Sequence, residues 1–167
     1  MVDRLTHAYD GPLAVFLIGL RVHQPWRLGV VGQAVRAMPR MIAELEQNKA
    51  AAARGEAESL GYLGARSTVD LTGTTMIQYW RSVEDIYAYA SSGDHEHRPA
   101  WLEFHRVARS APRAVTIWHE TYAVQPGGAE SVYAGAKPFG LGAVAGTVPV
   151  ARRGDRAPER IGRRVSA

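Results

Sequence analysis

Between Thr74 and Tyr122 the chain gathers three of its four tryptophans and four of its six histidines. A core built for stability alone needs no such density of imidazoles and indoles, so the segment points to a pocket. His119 lies in Ile117-Trp118-His119-Glu120, and His95 and His97 lie in Asp94-His95-Glu96-His97. An imidazole changes charge near neutrality, which suits His95 and His119 to accept a proton from an acidic substrate. The neutral ring nitrogen also suits His95, His97, His105 or His119 to be the axial ligand of a haem iron. Gln78 and Trp80 alternate onto one strand face, and Trp101, Phe104 and His105 fall on neighbouring faces of one helix. Together they would box a flat substrate or a porphyrin. Core packing is the commoner fate of such aromatics, and a buried His119 bonded to backbone or to a tyrosine is the ordinary alternative to a catalytic one.

The Asp94–His97 knot has the donor types of a non-haem metal site, but its spacing argues against one. The pair enters a helix from a loop and lacks further inward-facing ligands, so no metal is expected. Asp94 reads instead as a helix cap, with His97, Arg98 and Pro99 as the first turn. Lys137-Pro-Phe-Gly-Leu-Gly142 lacks the lysine and following helix of a phosphate loop, and no G-x-G-x-x-G follows the first long strand. No nucleotide cofactor is expected.

These residues need a scaffold, and the hydrophobic periodicity describes one. Leu13–His23 reads as a strand apolar on both faces, hence central and covered on each side. Val35, Met38, Met41, Ile42 and Leu45 have helical spacing, interrupted by Pro39, so the helix either kinks there or starts near Met38. Asn48 to Glu58 reads as a helix end plus a loop. Two strands, Leu60–Val69 and Thr74–Ser82, flank the turn Asp70–Gly73 as a hairpin. A helix over Val83–Ala90 is capped near Ser82, a second piece carries Trp101 to Ala108, Val115–Val124 is the fourth strand, and Ser131–Ala134 a short fifth. On the fourth strand, Val115, Ile117 and His119 share the helix side, while Trp118, Glu120 and Tyr122 share the other, with Glu120 available to Arg21 or Arg81. The order is the split βαβ pattern of an α+β, ferredoxin-like domain. Helices cover one face only, so the other is expected to pack on an identical subunit as a homodimer.

Composition narrows the classes. The 167 residues lack cysteine, which excludes thiol nucleophiles and thiolate metal sites. Residues 137–167 hold seven basic and two acidic side chains, a net +5, which leaves −1 for the rest of a chain whose total is +4. A near-neutral body with a basic end is not a nucleic-acid face. No apolar run is long enough to span a bilayer and the first residues lack a signal-peptide core, so no membrane partner and a cytoplasmic location are expected. Residues 1–12 read as an arm, 13–135 as the domain, and 136–167 as a Pro/Gly arm, crossing onto the partner, and a basic, flexible tail.

In order, AVFLIGLRV, AMPRMIAEL, TTMIQYWRSVEDIYAYA, HRPAWLEFHR, VTIWHETYAV and KPFGLG resemble the bacterial and fungal family of small proteins similar to antibiotic-biosynthesis monooxygenases, itself related to fungal polyketide-pathway monooxygenases. The resemblance runs from about Leu13 to Gly142. It implies a dimeric α+β barrel and oxidative tailoring of an aromatic or polyketide-like molecule in secondary metabolism. Three expectations follow. One is a cofactor-free monooxygenase with His95 and His119 handling protons and Gln78, Trp80, Trp101, Phe104 and His105 shaping the site. The others are a haem enzyme of dehydratase or peroxidase type, and a non-catalytic small-molecule-binding dimer.

Overall fold

A strand apolar on both faces needs partners on both edges and cover on both sides, and Leu13–Val22 has them. The computed structural model describes residues 3–135 and 137–161, and the side chains of residues 35, 37, 97, 100, 103, 104, 107 and 108 lie outside the described set. The side chains of His97 and Phe104, both candidates above, are therefore outside it. The elements are β1 (Arg4–His7), β2 (Leu13–Val22), α1 (Leu28–Ala53), β3 (Tyr62–Asp70), β4 (Gly73–Trp80), α2 (Val83–Ser91), α3 (His97–Ser110) and β5 (Val115–Val124). Then come β6 (Tyr133–Ala134), α4 (Leu141–Ala145), β7 (Thr147–Pro149), a 3-10 turn (Val150–Arg152) and α5 (Ala157–Arg160).

The main sheet has the antiparallel order β3-β4-β2-β5, with β2 inside. With α1 between β2 and β3, and α2 and α3 between β4 and β5, this is the ferredoxin-like α+β fold. On the helix face, Ala14 of β2 and Trp80 of β4 pack with Leu45 of α1 and with Ile86 and Tyr89 of α2. The Ser82 hydroxyl accepts from the Asp85 N–H at 3.0 Å, so the expected cap starts α2.

α1 starts ahead of Met38, which removes one of its two expected forms. It begins at Leu28, passes through Pro39 and runs on to Ala53, so that Asn48 to Glu58 holds the helix end and a loop, as expected. A proline in the interior costs one backbone bond, and the apolar stripe packed on the sheet outweighs that loss.

The opposite face is covered in part by the chain itself, which corrects the arm expected to cross onto a partner. Leu141, Val144 and Ala145 of α4 pack on Leu13, Val15, Ile77 and Tyr79. Gly64, at φ 153°, is where Val144 closes on the sheet, and a methyl group there would collide with it. Gly19 serves similarly under the Trp118 ring. Glu120 pairs with neither arginine expected for it. It accepts from the Tyr122 hydroxyl at 2.7 Å, while Arg21 meets Asp70 and Arg81 meets Asp85.

β1 joins the two short strands that follow β5 in a second sheet of order β6-β1-β7. Two of the basic residues read as a free tail are tied down. Arg153 meets Asp10 at 2.7 Å and the Ala8 carbonyl at 2.9 Å, and Arg160, buried, meets Glu130 at 2.5 Å. His7 is buried in this clasp, with its ring 2.9 Å from the Ser131 hydroxyl, and burial followed by the Arg153 charge holds it below the usual histidine value.

Candidate active site

The pleat places alternate residues of each strand on the helix side, and the strand register aligns them in rows. Ser67, Met76, Ile18 and His119 form one row, and Thr74, Leu20 and Ile117 belong to the next. Over these rows α1 presents Ala34, Met38, Pro39 and Ala43. Small side chains and a proline, where Leu or Phe would fill the layer, leave a cavity of about 460 Å³. That volume suits a small organic molecule. Its described lining is aliphatic and thioether, with Ser67 and Thr74 as hydroxyl-bearing residues on the helix side and no charged side chain. Such a site desolvates a neutral ligand cheaply and rejects an ionic one.

His119 ends the floor row. It pairs in register with Ile18, a lining residue, on the edge strand β5. Its ring centroid is 5.6 Å from that of Phe16, and the side chain is exposed. It lies on the helix side, as alternation requires, but at the flank of the sheet rather than in the core. Gln78 is 2 % exposed and continues the Met76 side of β4. Its amide nitrogen is 3.6 Å from the Met76 sulfur, and its carbonyl accepts from the Trp80 indole N–H at 2.9 Å. Gln78 thus links a cavity residue to the core.

Among the described residues, Trp80 and Trp101 do not come together in one box. Trp80, 1 % exposed, packs edge-on to Tyr62 at 5.4 Å and against Tyr89 at 5.8 Å. Trp101 is 53 % exposed on α3, with its ring 4.0 Å from that of His105 one turn on. None of His95, His105 and His119 is among the described cavity-lining residues, and the side chain of His97 lies outside the described set. Among the described residues no cluster of three or more His, Cys, Asp or Glu could hold a metal ion.

The profile described as Monooxygenase af470-like matches residues 13–141. The chain belongs to this family. Monooxygenase af470 of Aspergillus fumigatus is 31% identical over 164 residues, which take in 94% of this chain and 54% of that protein. The chain therefore spans about half the length of the curated relative it matches. Among solved structures, SnoaB, a cofactor-independent oxygenase from Streptomyces nogalater, is similar at a TM-score of 0.46 and 9% identity, covering 69% of this chain and 95% of that one. A dimeric protein of unknown function with a ferredoxin-like fold, from Bacteroides fragilis, gives 0.39 and 9%, over 66% and 96%. The fold assignment rests on strand order and helix placement in the chain itself.

In this af470-like chain His95 has a partner that sequence reasoning missed. Its Nδ1 is 3.0 Å from Glu44 of α1, its ring stacks on Tyr89 at 5.0 Å, and the Tyr89 hydroxyl donates to the same carboxylate at 2.6 Å. The Glu96 N–H adds a third bond at 3.0 Å. One carboxylate thus ties α1 to α2 and to the turn before α3. Burial opposes its ionisation, but the bonds from Tyr89, Glu96 and His95 outweigh that and hold Glu44 below the usual carboxylate range. Burial and the bond to Glu44 push the Tyr89 phenol up. No local signal marked Glu44, which sits among ordinary helix-surface glutamates in Glu44-Leu-Glu46.

A carboxyl depressed in the folded state contributes stability that is fully present above its unfolded value, near 4.5, and is lost as pH falls through the lower folded value. Glu44→Gln is therefore expected to cost about 1–2 kcal/mol at neutral pH. Thermal unfolding followed from neutrality to well below 4.5 is expected to show wild type and variant converging. A constant gap would show that the charge of Glu44 contributes nothing.

Proposed function

We propose that this chain is a small monooxygenase-type oxidoreductase that acts on a neutral, flat aromatic or polyketide-like metabolite in secondary metabolism, without a nucleotide cofactor. It works as a cytoplasmic homodimer, with Trp118 and Tyr122 on the part of the sheet that α4 leaves open. The observation that carries this reading is the cavity of about 460 Å³, uncharged in its described lining, with His119 at the end of its floor row. Membership of the af470-like family supports it.

A substrate with an activated CH₂, such as a phenolic tricyclic ketone, loses a proton to His119 and becomes a carbanion. The carbanion passes one electron to O₂, and the substrate radical and superoxide combine to a peroxide, which takes up a proton. Loss of water leaves a C=O, so that R₂CH₂ and O₂ become R₂C=O and H₂O. The dry apolar walls keep the carbanion from reprotonation by solvent. Ser67 and Thr74 orient the ring oxygens.

The test supplies such ketones under ¹⁸O₂ with no flavin, nicotinamide or haem added. One labelled oxygen is expected in the product and one in water. Tight binding without turnover would make the chain a binding module, and turnover only after hemin is added would make it a haem enzyme.

A further inference from the structure

At the end of the sheet where β2 runs into α1, large apolar side chains stand in water. Pro25, Trp26, Arg27, Leu28 and Gly29 are all exposed, Trp26 at 72 % and Leu28 at 78 %. The β3–β4 turn lies beside them, since the Val22 N–H donates to the Thr72 carbonyl at 2.7 Å and Arg21 meets Asp70 at 3.6 Å. Leu71 at the tip of that turn is fully exposed. The start of β5 is the third neighbour, as the Ala114 carbonyl accepts from the N–H groups of His23 and Gln24, and Arg113 precedes it on the surface.

Charge at this end is one-sided. Arg21, Arg27 and Arg113 stand against Asp70, which Arg21 already neutralises. The residue before α1, Arg27, offers no side-chain acceptor, and no acidic residue lies in the first turn, so the positive end of the helix dipole adds to the arginines. Exposed Trp and Leu interleaved with arginine are what a lipid interface accommodates, with rings and aliphatic chains at the acyl boundary and guanidinium groups on the phosphates. A protein partner is less favoured, because the apolar side chains come singly from a loop, a helix start and a turn rather than from one face.

Behind the tip, Val22, Val30 and Val31 pack on Leu20, Ala34 and Val115. Leu20 and Ala34 are also cavity walls. One layer of valines separates the exposed tip from the cavity.

We propose that this end docks on an anionic lipid surface, with Trp26, Leu28 and Leu71 entering the interface and Arg27 and Arg113 on headgroup phosphates, so that apolar ligands reach the cavity from the bilayer. No helix of the described residues is long and apolar enough to cross a membrane, and the docking is to its surface. It replaces the sequence-based expectation of no membrane partner and stands whether or not the proposed oxidation is correct.

The test is flotation of the full chain with vesicles of phosphatidylcholine, alone or mixed with phosphatidylglycerol. Binding is expected with phosphatidylglycerol, weakening as salt rises. Trp26→Glu with Leu71→Glu is expected to reduce it to background. Arg27→Gln with Arg113→Gln is expected to weaken it roughly 20-fold. All four positions are exposed, so circular dichroism is expected to show unchanged folding. Absence of binding, equal binding to both vesicle types, or binding indifferent to the variants would overturn the proposal. So would a Trp26→Glu/Leu71→Glu variant that halves the mass in solution while wild type ignores vesicles, since the tip would then be a contact between copies.

Discussion

His119→Ala is expected to lower kcat by about 10²- to 10⁴-fold, the usual contribution of a positioned general base, while leaving the fold intact. The side chain is exposed on an edge strand, and its described ring contact is with the half-buried Phe16, so truncation removes little packing. The loss should fall on kcat rather than on substrate affinity, because the described cavity walls are untouched. Free imidazole should restore part of the rate if the missing group is a base. Oxygen uptake, with circular dichroism as the folding control, makes the measurement. An unchanged kcat would remove His119 from the mechanism and leave the cavity reading standing.

Trp80→Ala is expected to act on stability instead. The indole is 1 % exposed, is held between Tyr62 and Tyr89, and satisfies the buried Gln78 carbonyl at 2.9 Å. Deleting it leaves a large void and an unpaired acceptor, at a cost of about 3–5 kcal/mol. For a chain of this size that lowers Tm by roughly 10 °C. Trp80→Phe keeps most of the packing and loses the N–H, so a smaller drop is expected. A Trp80→Ala protein as stable as wild type but inactive would return Trp80 to the substrate-contacting role expected from sequence.

Trp80 illustrates where sequence reasoning stops. Alternation places Gln78 and Trp80 on the helix face together, and they are there. Whether that stretch of the face opens on a cavity depends on which α1 residues lie above it. Over Trp80 lies Leu45, and over Met76 and Thr74 lie Met38, Pro39 and Ala43. The same strand face is therefore core at one end and cavity at the other. Trp101 and His105 show the converse, since their helical spacing is real but brings them to each other on an exposed side of α3.

The identity of β2 to β5 and of the helices between them, the β3–β4 hairpin, the Ser82 cap, the central place of β2 and the side of β5 that carries His119 were determined locally, because side-chain period, turn residues and caps are properties of a few consecutive residues, whereas β1, α4, β7 and α5 were not read from the sequence. Family membership was legible too, because it resides in short segments in a given order. The pairing of Glu44 with His95 across 51 positions, the return of α4 onto its own sheet, the clasp of Arg153 and Arg160 on the first residues, and the cavity itself were decided only by tertiary structure. Each depends on which distant surfaces meet once the sheet closes. Charge and burial acquire partners only then, and no local pattern in the chain encodes them.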